Sequence, residues 1–336
     1  MTRSKFRAIT IADIPAMADL LILRQILESG TFPFLQNSCL NTNHGIDVLE
    51  KLFINSTVIG TGAFVEDELV GYILGEIRVD PSRGRHIWVP YEGIAVKANQ
   101  SPELIRMLYA KVSVEWLNHG CFMHYAMVPL GNKAYFEAFQ CLSFYIQQVH
   151  GVMNLEEYRP FTQVSDAKVR IAGIADREKM GRLSGIIHSY QNAAPVFEPM
   201  LPEVAADIKA GYESTVEDND LTILLAEKDG EELGFQIYEA ASSGLMLPDG
   251  GVELSVAGTY PCRMGSGVGK KLMNEGCALM SAREVRHMIT DWRITNLASS
   301  TFWPKCGFKP VAYRMVRYID SSWTLAGSDN PDSKGE

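Results

Sequence analysis

The stretch Asn296-Leu297-Ala298-Ser299-Ser300-Thr301-Phe302-Trp303-Pro304-Lys305-Cys306-Gly307-Phe308 has a counterpart in Asn132 to Phe144, 164 residues upstream. Three further signatures recur in the same order. Arg7-Ala8-Ile9-Thr10-Ile11-Ala12-Asp13 answers to Arg170-Ile171-Ala172-Gly173-Ile174-Ala175-Asp176, and Glu68-Leu69-Val70-Gly71-Tyr72 answers to Glu231-Glu232-Leu233-Gly234-Phe235, both at an interval of 163. The carboxylate of Tyr91-Glu92-Gly93-Ile94 answers to that of Val252-Glu253-Leu254-Ser255 at 161. So steady a displacement marks a tandem repeat. It predicts one domain over residues 1–160, a second over 168–320, a linker near Arg159 to Asp166, and a polar, flexible tail over 321–336.

Each copy reads as α/β. A short strand near Arg7 or Val169 leads through an Ala-Asp turn into a helix with apolar residues at helical spacing: Ile14, Met17, Leu20 and Leu21 in the first copy, Met180, Leu183 and Ile187 in the second. In the second copy, Leu221–Ala226 and Glu232–Tyr238 flank Asp229-Gly230 and read as a hairpin. A strand into a glycine-rich loop, a helix over about 266–283, a strand over 288–292, a short helix over 298–305 and a last strand over 311–319 complete that copy. The expected fold is two tandem domains, each a mixed central sheet flanked by helices.

Composition narrows the function. The 336 residues are 46% hydrophobic and 21% charged, with a formal charge of −9 and a pI near 5.4. An acidic chain lacks the clustered Lys and Arg on which phosphate-backbone binding depends, so no nucleic-acid partner is expected. Cationic substrates remain compatible. The six cysteines (39, 121, 141, 262, 277, 306) form no Cys-x-x-Cys pair. With no signal-peptide core at the start and no apolar run of membrane-spanning length, the sequence predicts a reduced, cytoplasmic setting without a membrane partner. The histidines are scattered, and no metal is expected.

The sharpest chemical signal is Met264-Gly265-Ser266-Gly267-Val268-Gly269-Lys270-Lys271-Leu272, between a predicted strand and a predicted helix. Glycines let a ligand approach the backbone, and a helix N-terminus offers unpaired N–H groups to a phosphate. A Walker loop requires glycine where Met264 stands and Ser or Thr where Lys271 stands. A dinucleotide fingerprint requires a third glycine where Lys270 or Leu272 stands. Both spacings fail, which disfavours a nucleotide-binding enzyme and leaves Gly-x-Gly-x-Gly.

These residues resemble the acyl-CoA loop of the GCN5-related N-acetyltransferases (GNAT), Gln/Arg-x-x-Gly-x-Gly/Ala after a central strand. Met264 stands at the Gln/Arg position, with Arg263 one residue away. The segment Asn296 to Phe308 is similar to the family's Asn-x-x-Ala-x-x-x-Tyr-x-Lys-x-Gly-Phe, with Ser299 for the Ala and Trp303 for the Tyr. An indole cannot supply the proton that the family's tyrosine is held to give the departing thiolate. The first copy has Ser143 in place of the glycine, and its loop region, Val96 to Leu104, contains no glycine. It resembles a degenerate copy without cofactor, a layout similar to the mycothiol synthase type of tandem acetyltransferase.

The resemblance implies an N-acetyltransferase that moves an acetyl group from acetyl-CoA to a primary amine, on a small molecule or a peptide, by direct attack in a ternary complex. It implies Glu253 as general base, by analogy with histone-type members of the family. A carboxylate of raised pKa could take the ammonium proton directly or through water; the alternative is a strand carboxylate paired with a neighbouring Arg or Lys. Implied cofactor contacts are the backbones of Ala257 and Thr259, then Arg263, Met264, Gly265, Ser266, Gly267, Val268, Gly269 and Lys270, with Asn296 and Trp303 flanking the pantetheine. Asp291-Trp292-Arg293 reads as a structural Asp-Arg pair around a buried Trp, with substrate binding as the alternative, and Tyr313 and Tyr318 as packing residues or acids. With Met264, Trp303 and an unassigned acid, a rival reading is a non-catalytic acyl-CoA sensor or scaffold.

Overall fold

A computed structural model describes residues 4–35, 41–55, 57–81, 83–198, 200–241, 244–246 and 250–325. In chain order the elements are β1 (Lys5–Ala8), α1 (Ile14–Thr31), α2 (Thr42–Asn55), β2 (Thr57–Val65), β3 (Glu68–Asp80), β4 (Gly84–Val89), β5 (Ile94–Val96), α3 (Glu103–Asn118), β6 (Met123–Pro129), α4 (Lys133–Cys141) and β7 (Tyr145–Asn154). The second half follows with β8 (Lys168–Ile171), α5 (Arg177–Asn192), α6 (Pro202–Ser214), β9 (Thr222–Lys228), β10 (Glu231–Ala240), β11 (Val252–Thr259), α7 (Val268–Ala282), β12 (His287–Arg293), α8 (Leu297–Cys306) and β13 (Lys309–Tyr318). Of the expected tail, 321–324 form a 3-10 turn and 326–336 lie outside the described residues.

The chain divides into two compact units, Met1–Gln147 with Ala312–Glu336, and Gln148–Val311. In the first, the strand order is β1-β2-β3-β4-β6-β13, with β5 also on β3. All pairs are antiparallel except β4 with β6. In the second the order is β7-β12-β11-β10-β9-β8, all antiparallel except β11 with β12. Each unit is therefore a mixed sheet flanked by helices. The linear division at 160 and 168 differs from these units at the closing strands. Ala312–Tyr318 pairs with β6 in the first unit, whereas Gln148–Asn154 pairs with β12 in the second. The two closing strands hold the same place in the repeat, and each pairs antiparallel with a strand of the other copy.

The repeated signatures have local structural causes. Arg7 grips Asp13 with two hydrogen bonds of 2.9 and 2.6 Å, and Arg170 grips Asp176 at 2.7 and 2.6 Å. Each aspartate also accepts from the backbone N–H three residues before it, Thr10 or Gly173, fixing the entry to α1 or α5. Asp229 and Gly230 have φ of 53° and 84°, the mirror-image turn that matches strand twist. On α7, Val268, Leu272, Met273, Cys277 and Met280 are all at most 3% exposed and seat the helix on the sheet. Each of the larger of these side chains contributes about 1.5–3 kcal/mol by burial.

The segments after α4 and α8 test the repeat directly. Gly307 ends α8 at φ 102°, while its counterpart Ser143 is driven to φ 62°, a left-handed conformation that costs a residue with a Cβ. Ser143 is exposed. We expect Ser143→Gly to stabilise the protein by roughly 0.5–1 kcal/mol in urea unfolding and Gly307→Ser to cost about 1 kcal/mol. No gain from Ser143→Gly would mean that the turn carries no strain.

Candidate active site

The candidate site lies in the second unit, where β11 leaves its parallel neighbour. β11 pairs with β12 only at Val252↔Met288 and Glu253↔Ile289, although β12 runs on against β7 as far as Arg293. Thr290 Oγ1 donates to the Leu254 carbonyl at 2.8 Å and closes the ladder there. Beyond it, β11 stays paired with β10 up to Gly234↔Thr259, with an irregularity opposite Ile237/Tyr238. The edge of β11 that carries Ala257 and Thr259 therefore has no ladder partner on its β12 side. Burial is the first cause that raises the Tyr190 phenol of α5, with Thr259 pulling the other way.

The loop that follows brings the Gly-x-Gly-x-Gly residues to the start of α7. Pro261–Arg263 form a 3-10 turn, Gly265 and Gly267 take φ of 78° and 84°, and Lys271 N to Gly267 O at 2.9 Å is the first bond of the helix. Among the described residues, the backbone N–H groups of Gly265, Gly267, Val268, Gly269 and Lys270 donate to no protein acceptor. Successive unpaired amides at the positive end of a helix form a concave site for an anion.

The three glycines differ in what requires them. Around Gly265 there is open space, so only its φ demands glycine. At Gly267 an added Cβ would meet the backbone of Ser165 at 2.8 Å and of Val164 at 3.0 Å. At Gly269 an added Cβ would meet only ordinary contacts, with Phe302 at 3.5 Å and Thr259 at 3.9 Å. Arg263 reaches Glu231 at 3.6 Å, and Met264 is 56% exposed.

Glu253 lies on the sheet face that carries α5. Cross-strand register sets it beside Glu239, and Asp291 lies two residues beyond its β12 partner Ile289. Among the described residues it makes no hydrogen bond or ion pair, so the paired-carboxylate alternative is not what the structure holds. Its pKa is raised by burial first, then by the like charges of Glu239 and Asp291. Asp291 and Arg293 do not pair with each other: Arg293 reaches Glu198, while Trp292 between them is buried.

Other expected residues have structural duties. The Asn296 side chain accepts from Ser299 N at 3.2 Å as the N-cap of α8. Trp303 is 6% exposed, with its ring edge-on to Phe302 and Phe308. Tyr313 packs on Phe136 and Tyr318 stacks on Tyr145, all in the first unit. Sequence reasoning missed Glu239, which the hairpin register could have revealed, and Asn274, which no local pattern marks.

In the first unit the corresponding backbone is already occupied. β4 pairs with β6 only over Ile87–Val89, and Tyr91–Gly93 turn out of the ladder before β5. Arg24 Nη1 donates to the carbonyls of Tyr91 (2.6 Å) and Ile94 (2.5 Å). Val96 N donates to the Tyr135 hydroxyl at 2.9 Å, and Glu28 accepts from Gly131 N (2.6 Å) and Asn132 N (3.2 Å). Ile94 and Val96 stand 163 residues before Ala257 and Thr259. Side chains of α1 and α4 thus fill the positions that stand open in the second unit.

This pair of mixed sheets, each with a parallel step next to an interrupted strand, is the tandem form of the GCN5-related N-acetyltransferase fold. A GCN5-related N-acetyltransferase from Sphaerobacter thermophilus aligns with a TM-score of 0.60 at 12% identity, over 95% of this chain and 96% of that one. A tandem GNAT protein from the clavulanic acid biosynthesis pathway, solved without acetyl-CoA, aligns with a TM-score of 0.50 at 13% identity, over 94% and 97%. A fungal GCN5-related glucosamine N-acetyltransferase region within a multi-domain GH3 β-N-acetylglucosaminidase aligns at 0.55 and 13%, over 94% of this chain and 38% of that one. No family model and no curated protein sequence matches the chain. Among the described residues, no helix is long and apolar enough to cross a membrane, and no group of three or more His, Cys, Asp or Glu is placed to hold a metal.

Proposed function

We infer that the second unit is an N-acetyltransferase that passes an acetyl group from acetyl-CoA to a primary amine by direct attack in a ternary complex. The observation that carries this reading is the set of free amides at Gly265 and from Gly267 to Lys270, which follows the unpartnered edge of β11. The amides of Gly265 and Gly267 to Lys270 would hold the pyrophosphate, with the Lys270 ammonium nearby. The pantetheine would lie along Ala257 to Thr259, where a backbone N–H near Ala257 would polarise the thioester carbonyl. Acetyl-CoA supplies the activated acyl group. Glu253, half-buried beside two other carboxylates, suits an ammonium substrate twice over: the carboxylates attract the cation, and the raised pKa lets Glu253 take its proton. Deprotonation frees the nitrogen lone pair to attack; the C–S bond breaks, and CoA leaves as the thiolate.

The first unit would serve as a support without cofactor, since Arg24 and Tyr135 take up the backbone groups of Ile94 and Val96 that match Ala257 and Thr259. The test is a calorimetric titration of acetyl-CoA into the full chain, with one site per chain expected. No binding at millimolar cofactor would sink the reading. The capping role of Asn296 and the burial of Trp303 favour one rival, an acyl-CoA sensor. Binding without CoA release across an amine panel would identify that rival.

A further inference from the structure

The segment joining the two copies is fastened along its length to α7, to the candidate cofactor loop at Gly267 and to β9. The Asn274 side chain treats Phe161 as a paired strand would: Phe161 N donates to Oδ1 at 2.9 Å, and Nδ2 donates to the Phe161 carbonyl at 2.9 Å. The Tyr158 hydroxyl donates to the same Oδ1 at 2.7 Å. Further on, Ser165 N donates to the Gly267 carbonyl at 3.2 Å, the same oxygen that starts α7. Asp166 is then held by Lys228 at 3.0 Å. Between these ties the Phe161 ring stacks on Phe302 of α8 at 6.4 Å and 15°, and Lys270 Nζ lies 5.4 Å from its centre. A linker that merely joined two units would not require this fit, in which the absence of a Cβ at Gly267 admits the linker backbone.

We propose that Tyr158–Asp166 is a built part of the cofactor site, and that Asn274 and Phe161 are positioning residues for the loop 263–270. This rests on the acetyl-CoA reading of that loop. The linker fixes the Gly267 carbonyl, and with it the peptide plane that carries the Val268 amide at the start of α7. It also holds the Lys270 stem over Phe161. An anion then meets donors already in place, and the entropy of ordering the loop is not lost on binding. The pyrophosphate end of the ligand depends on the linker, and the pantetheine end, along β11, does not.

The test compares acetyl-CoA with S-acetylpantetheine, which lacks the pyrophosphate, on the full chain and on Asn274→Asp and Phe161→Ala. Asn274→Asp removes the donor to the Phe161 carbonyl and sets a negative charge against it. Phe161→Ala leaves every backbone tie intact and serves if Asn274→Asp does not fold. Both variants should bind acetyl-CoA about tenfold more weakly, through KM rather than kcat, and bind S-acetylpantetheine as the parent does. Amide exchange should quicken over 263–270 and remain as it was in β12. Variants that match the parent for acetyl-CoA within twofold would overturn the proposal while leaving the acetyltransferase reading in place. If the parent itself fails to bind acetyl-CoA, that reading falls; unchanged exchange over 263–270 in the variants would then overturn the positioning role as well.

Discussion

Glu253→Gln should lower kcat for acyl transfer by about 10²–10⁴-fold while leaving acetyl-CoA affinity close to that of the parent, because the change removes a proton acceptor and little volume. The pH profile carries the sharper signature. A carboxyl group accepts the ammonium proton only when ionised, so activity should rise with pH through the Glu253 pKa. Burial and the charges of Glu239 and Asp291 raise that pKa from its ordinary 4.5, which sets the acid limb above the usual carboxylate range. Removing either like charge, by Glu239→Gln or Asp291→Asn, favours the ionised form and should move the limb to lower pH. Glu253→Gln should abolish the limb. A Glu253→Gln protein that retains the parent rate and its acid limb would place the base elsewhere.

What could be read from the sequence was what depends on neighbours in the chain. Arg7 and Asp13, or Arg170 and Asp176, meet across six residues, so their repetition in the sequence is repetition of a local clasp. Asp229-Gly230 likewise declares its own turn. The glycine loop was legible as a place where backbone comes close to something, but only the structure separates the reasons: Gly265 faces open space, and Gly267 faces the linker. The exchange of closing strands could not be read, because the segments that become β7 and β13 hold the same place in the repeat. Asn296 and Trp303 keep the family's spacing, and the structure gives the one a helix cap and the other core packing, which spacing alone does not declare. Asn274 looks like an ordinary polar helix residue, and its partners Tyr158 and Phe161 lie 116 and 113 residues away. Polar residues on α1 carry no such signal either: Arg24, Gln25 and Glu28 are residue types found mostly on the wet side of a helix, yet none is more than 2% exposed.

Those buried polar residues give the largest expected effect on stability. Arg24→Met should destabilise the protein by about 3–5 kcal/mol, a large share of the roughly 5–15 kcal/mol that holds a domain folded. The loss has three parts. The carbonyls of Tyr91 and Ile94 forfeit their donor at a buried site, and the Tyr91 ring loses the guanidinium 4.5 Å from its centre. The third part is Glu28. Burial already pushes its carboxyl up against the opposing pull of Arg24 and of the Gly131 and Asn132 amides, and without Arg24 the charge is sustained by those amides alone. Changing both residues to Met should therefore cost less than the two single effects together, although Gly131 N and Asn132 N then lose their acceptor. Urea unfolding and amide exchange in β3 and β6 would measure this; a loss below about 1 kcal/mol for Arg24→Met would mean that water satisfies these groups in its place. Because Tyr135 still caps Val96 N, loosening α1 should not open a second cofactor site. The acetyl-CoA stoichiometry of any folded Arg24 variant should stay at that of the parent, since the first unit's strand edge would remain occupied from α4.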